Sequence, residues 1–242
     1  MSRRLAFLLA VFVADWLAFL PVRLGYAPIH TSLGRLLMIS GSSVVVCVAA
    51  VVLARRRDLF TAADLGLTPT ETQRARAIVG GRFALVLLGL FVGAALLHML
   101  PPVNYSLWNR LSYPEFVDEL RRHEWRDSFA RSVPPVDAAD AAIVFVHGVI
   151  LSPLTEEIPY RALFMPTVLP YLGRHGAALA SGVVFFGLHV LVYGLTPAAD
   201  YFLAGVAYAY FFGWFGLAGA VAVHAGGNFG LLLLALYVEF WA

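Results

Sequence analysis

Residues 152–164, SPLTEEIPYRALF, set two adjacent glutamates and an arginine between long apolar runs. A charged side chain at the centre of a membrane span costs about 2.5–3.5 kcal/mol on insertion scales, so the reading depends on which solvent surrounds the chain. Of its 242 residues, 60% are hydrophobic and only 13% charged, and the mean hydropathy is +0.78. A soluble domain carries about 25% charged residues. The composition predicts an all-α, polytopic membrane protein, because a lone segment in hydrocarbon must bond its own backbone groups and a helix does so.

Outward from this stretch, apolar runs near the length of about 20 residues that a span requires fall at 5–22, 36–54, 83–100, 141–164, 177–193, 201–215 and 220–241. Seven spans are expected, within a range of six to eight because the sixth run is short. All 17 basic residues are arginines. Arg3 and Arg4 precede the first run, Arg55, Arg56 and Arg57 close the second, and Arg74, Arg76 and Arg82 follow, which favours a cytoplasmic N-terminus. Residues 101–137 carry Arg110, Arg121, Arg122, Arg126 and Arg131, which weigh the other way, and their mixed charges fit an amphipathic helix at the interface or a solvated loop helix. The net charge of +2 is too small and too scattered for nucleic acid. Cys47 is the single cysteine, so no intramolecular disulfide forms and a buried, inert thiol is expected.

Within the opening stretch, Glu157 and Arg161 lie four residues apart and about 40° from each other around a helix, the spacing of an ion pair. Glu156 lies about 140° from Arg161, free for chemistry. Pro159 withholds a donor from the carbonyl of Thr155 and crowds it, and irregular backbone at membrane depth points to a cavity lined by protein or water. Two further runs contribute polar residues at helical repeat: Phe185 and His189 in FFGLH, and His224 and Asn228 in HAGGN. A histidine in a span more commonly bonds a neighbouring helix, and the whole cluster could be a structural ion network. Three separate runs bearing such residues favour a site.

The ordered set E-E-x-x-x-R (Glu156, Glu157, Arg161), F-x-x-x-H (Phe185, His189) and H-x-x-x-N (His224, Asn228) resembles the CPBP family. These are the CAAX prenyl protease and bacteriocin-processing proteins, also called Abi, intramembrane glutamic endopeptidases. The resemblance covers about 141–235. It implies that Glu156 and His189 activate a water, that His224 and Asn228 stabilise the oxyanion, and that Glu157, Arg161 and Phe185 support them. In two places the sequence departs from the family: Ala162 stands where glycine usually follows the arginine, and Pro159 is atypical. No cofactor and no metal are implied; the zinc signature H-E-x-x-H is absent, and a metal would have to gather ligands from three spans.

The chain then divides into 1–136, N-terminal helices and the connecting amphipathic segment, and 137–242, the catalytic core. The expected activity is hydrolysis of a peptide bond in a membrane-associated protein or peptide, with the lipid bilayer as the other partner, in the inner membrane of a bacterium. A non-catalytic immunity or interaction protein and a proton-coupled transporter are the readings from other classes. Straight helices raise one difficulty. Glu156 and His189 are about equally far from a turn near Gly173, whereas His224 lies a few residues past a turn near Gly216–Gly219, far from His189 in depth. The sixth run must then be broken or tilted, or the fifth must enter only part way.

Overall fold

The computed structural model describes residues 2–23, 41–68, 82–100, 142–143, 145–193 and 198–241. Every element among them is helical. In chain order they are α1 (Arg3–Arg23), α2 (Gly41–Arg56), α3 (Phe83–His98), α4 (Phe145–Leu151), α5 (Ser152–Glu157), α6 (Ile158–Leu163), α7 (Phe164–Tyr193) and α8 (Ala198–Trp241). The amphipathic segment expected at 101–137 and the division at 136/137 lie outside the described residues.

Two of these helices are bent at glycine. Gly173 in α7 has φ 63° and Gly216 in α8 has φ 71°, a region open to glycine at little cost. Each helix therefore becomes two arms, and the turns expected near Gly173 and Gly216 are found there. At Gly216 the bend is packed in place: Leu217 N–H donates to the carbonyl of Gly66 at 3.1 Å, and Gly66 has φ 66°. A Cβ at Gly66 would meet Leu217 N at 2.6 Å, and one at Gly216 would meet Gly66 O at 2.7 Å. The loop after α2 is thus docked on the α8 bend, backbone to backbone.

α4, α5 and α6 run on into α7, and α4 and α6 are wound as wide π-helical turns. The prolines account for much of this irregularity. A wide turn bonds i to i+5, so the donor for the Gly148 carbonyl would be residue 153, and Pro153 has no N–H. Asn228 Nδ2 donates to that carbonyl instead, at 2.7 Å. Four residues before Pro159, the Thr155 carbonyl receives the thiol of buried Cys47 at 3.3 Å. Two carbonyls deprived by proline each obtain a side-chain donor from another helix.

The main buried cluster joins Leu8 and Val11 of α1, Cys47, Ala50 and Ala54 of α2, Leu163 of α6, and Ala177 and Ala209 of the two bent helices. Large apolar side chains also face outward, among them Leu85, Leu88 and Leu96 of α3 at 57–65% exposure and Val45 of α2 at 68%. One described helix, Tyr201–Leu233, is long and apolar enough to cross a membrane by length and composition; Phe83–His98 is apolar but shorter.

Candidate active site

The centre of the molecule holds Glu156 of α5, Glu157 of α5, Arg161 of α6, His189 at the end of α7 and His224 of the second α8 arm. Glu157 and Arg161 are both fully buried, and Arg161 Nη1 lies 3.0 Å from Glu157 Oε1, the pairing expected from their spacing. Arg161 Nη2 donates to the carbonyl of Gly205 at 3.1 Å. Its guanidinium lies over the rings of Phe185 at 4.5 Å, Tyr208 at 5.2 Å and Tyr160 at 5.8 Å. A buried cation is tolerated when paired and hydrogen-bonded, and the aromatic faces add attraction. Gly182 and Gly205 bring the two helix arms close enough for this bond, since a Cβ on Gly205 would stand 2.9 Å from Gly182 Cα.

Glu157 Oε1 also accepts from His224 Nδ1 at 2.8 Å. That bond fixes the proton on Nδ1 and turns Nε2 away from Glu157, towards Glu156. His189 Nδ1 donates to the Phe185 carbonyl at 2.7 Å, so its Nε2 is likewise turned outward. Both Nε2 atoms face one carboxylate oxygen: Glu156 Oε2 lies 3.7 Å from His189 Nε2 and 3.9 Å from His224 Nε2. These spacings exceed a direct hydrogen bond. The other oxygen, Oε1, accepts from Ser152 Oγ at 2.6 Å, while Oε2 is buried and has no hydrogen-bond partner among the described residues.

The depth difficulty does not arise in the structure, since His224 Nε2 comes within 3.9 Å of Glu156 Oε2. His175 meets Tyr210 at one end of the pair and His189 meets Tyr201 at the other, so fourteen residues along one arm match nine along its neighbour. Phe185 has a physical place in this arrangement, its ring under Arg161 and against His189 at a centroid distance of 4.2 Å. Asn228 is brought beside α4 by its bond to Gly148.

Three neighbours escaped the sequence reading. Ser152 sits one turn before Glu156, a spacing that was visible but given no role. Tyr201 stacks on His189 at 4.2 Å and 27°, and Tyr208 stacks on His224 at 4.6 Å and 17°. They lie seven residues apart on one face of α8; Tyr208 opens the aromatic run YAYFFGWF at 208–215, which a membrane-interface belt explains equally well. Two further polar residues of the apolar runs are bonded elsewhere: Asp15 accepts from Ser43 at 3.0 Å, and His98 Nδ1 donates to the Ala94 carbonyl at 2.9 Å. His147 falls in the wide turn of α4.

No curated protein and no solved structure matches this chain. Residues 138–230, which hold all three motifs, match the family model described as Rce1-like, type II CAAX prenyl endopeptidase, a match that implies a protease and bears out over this segment the CPBP resemblance of the motifs.

Proposed function

We propose that this chain is a multi-pass intramembrane endopeptidase in which Glu156 and His189 activate water without a metal. The observation that carries the reading is the setting of Glu156 Oε2, a buried carboxylate oxygen faced by two imidazole nitrogens from different helix arms at 3.7 and 3.9 Å. Spacings of this size suit a bridging water. Such a water donates one hydrogen to Oε2 and the other to the lone pair of His189 Nε2, leaving its own lone pair for a peptide carbonyl carbon.

As the C–O bond forms, the water's proton passes to Glu156 and the carbonyl oxygen becomes an oxyanion. Asn228 has two amide hydrogens, one given to Gly148, and the second is the donor assigned to the oxyanion. His224 donates from Nε2 only as an imidazolium, because its Nδ1 proton is engaged by Glu157. Oxyanion donors of this kind contribute about 2.7–4 kcal/mol each. Collapse of the tetrahedral intermediate breaks the C–N bond, and the proton held by Glu156 goes to the leaving amine.

The substrate class is a membrane-associated protein or peptide, cleaved at a CAAX-type terminus, a C-terminal sorting signal or a precursor junction. Outward-facing leucines and valines on α1, α2 and α3 support a lipid-embedded, multi-pass arrangement. Glu156→Gln tests the mechanism, since the variant keeps the shape and removes the base. Comparing the termini of membrane proteins in cells carrying the native and Gln forms should show at least 100-fold less cleavage with Gln. Retained cleavage would eliminate Glu156 as the base, and pH-driven flux without proteolysis would favour a transporter. A strong chelator should leave the native activity unchanged.

A further inference from the structure

At the end of the molecule away from Trp241, the first turn of α1, the last turn of α2 and the following loop enclose a cleft of about 350 Å³ lined by Arg3, Ala6, Phe7, Leu53, Arg57 and Leu59. Four of the six side chains are apolar and none is acidic. The neighbouring arginines are differently engaged. Arg4 pairs with Asp64 at 3.1 Å and lies over Phe60 at 4.7 Å, and Arg55 donates to the Phe60 carbonyl at 3.1 Å. Arg3 and Arg57 are exposed and have no carboxylate partner among the described residues.

The cleft continues as an apolar track. From Arg3, the helical repeat of α1 passes Ala6 and Phe7 to Ala10, Val13 and Leu17; Val13 is 57% and Leu17 50% exposed. From Arg57, the repeat of α2 passes Leu53 to Ala49 and Val45, also exposed. Two guanidiniums at the top and two open aliphatic stripes below match an amphiphile with an anionic head and hydrocarbon tails. Arginine forks suit phosphate oxygens.

We infer that this cleft binds an anionic phospholipid, its phosphate held by Arg3 and Arg57 and its acyl chains lying along α1 and α2. The site rests on the membrane placement proposed above and is independent of the peptidase chemistry. The test uses the full chain in detergent micelles, with native mass spectrometry counting bound phosphatidylglycerol or phosphatidylcholine. The native protein should retain phosphatidylglycerol over phosphatidylcholine by at least fivefold. Arg3→Gln with Arg57→Gln should abolish that preference, while Arg56→Gln, exposed but outside the cleft, should leave it intact. Leu53→Asp, at a position already half exposed, should repel the headgroup and reproduce the loss with all arginines present.

Equal retention of the two lipids overturns the inference, as does a double variant that keeps the preference, or an Arg56→Gln loss as large as the double variant's. Displacement of the lipid by millimolar inorganic phosphate would assign the cleft to a free anion instead. Recovery of the native chain in the soluble fraction without detergent would sink the membrane placement itself, and is read separately.

Discussion

Glu156 and Glu157 are chain neighbours that should respond to mutation in opposite ways. Glu157 is fully buried between Arg161 and His224, so Glu157→Ala leaves a buried guanidinium unpaired, at a cost of about 3–5 kcal/mol. Loss of folded protein in a thermal melt is expected. Glu156 is paired with no arginine among the described residues and meets the two imidazoles only at 3.7 and 3.9 Å, and Glu156→Gln should melt within a few degrees of the native protein while losing activity. Tyr208 permits a finer test, because its ring lies between Arg161 and His224. Tyr208→Phe keeps the face and should retain activity within about twofold, whereas Tyr208→Leu should lower kcat about tenfold, equivalent to 1.4 kcal/mol, with KM little changed. Ser152→Ala removes a charge-assisted hydrogen bond worth about 1.5–3 kcal/mol and should also act on kcat, with Ser152→Thr restoring part of it.

At the scale of elements, α3 is held against the second α8 arm by absent side chains. A Cβ on Gly226 would stand 2.2 Å from Phe91 O, and one on Gly230 would stand 2.4 Å from Ala95 O. Backbone cannot yield as a flexible side chain does, so Gly226→Ala and Gly230→Ala should each lower Tm and shift His224 and Asn228, which lie on the same arm. Gly213→Ala meets nothing within 4 Å and should raise helix stability by about 1 kcal/mol, a matched control measured in the same melts. Cys47 offers a second element-level test through its bond to the proline-deprived Thr155 carbonyl. Cys47→Ser keeps a donor and should be tolerated, while Cys47→Ala leaves the buried carbonyl unsatisfied and should cost about 1–3 kcal/mol.

For the whole molecule, Arg3 and Arg4 of α1, Arg55 of α2 and Arg57 of the following loop lie at one end, with Arg4 joining Asp64 and the Pro166 carbonyl. In the multi-pass arrangement proposed above, with the seven spans expected from the sequence, the positive-inside tendency would set that end in the cytoplasm. Reporters fused to the two termini should therefore fall on opposite faces of the membrane; a shared face would require a different number of crossings. The helical class, the arms and their glycine turns, and the Glu157–Arg161 pair were legible in the sequence because each follows from local hydrophobicity or from residues within one turn. The motif order also pointed to Glu156, His189 and His224, which the fold brings together, the two imidazoles at 3.7 and 3.9 Å from Glu156 Oε2. Which of the alternatives for the sixth and fifth runs holds was not legible, and neither was the close approach of the α7 and α8 arms, since it arises from contacts such as Gly182 against Gly205 that are remote in the chain. Nor were the stacking of Tyr201 and Tyr208 on the histidines and the rescue of two carbonyls by Cys47 and Asn228. Sequence determined which polar groups would have to leave hydrocarbon together; only the tertiary structure decided which atoms face one another, because that depends on crossing angles no local pattern encodes.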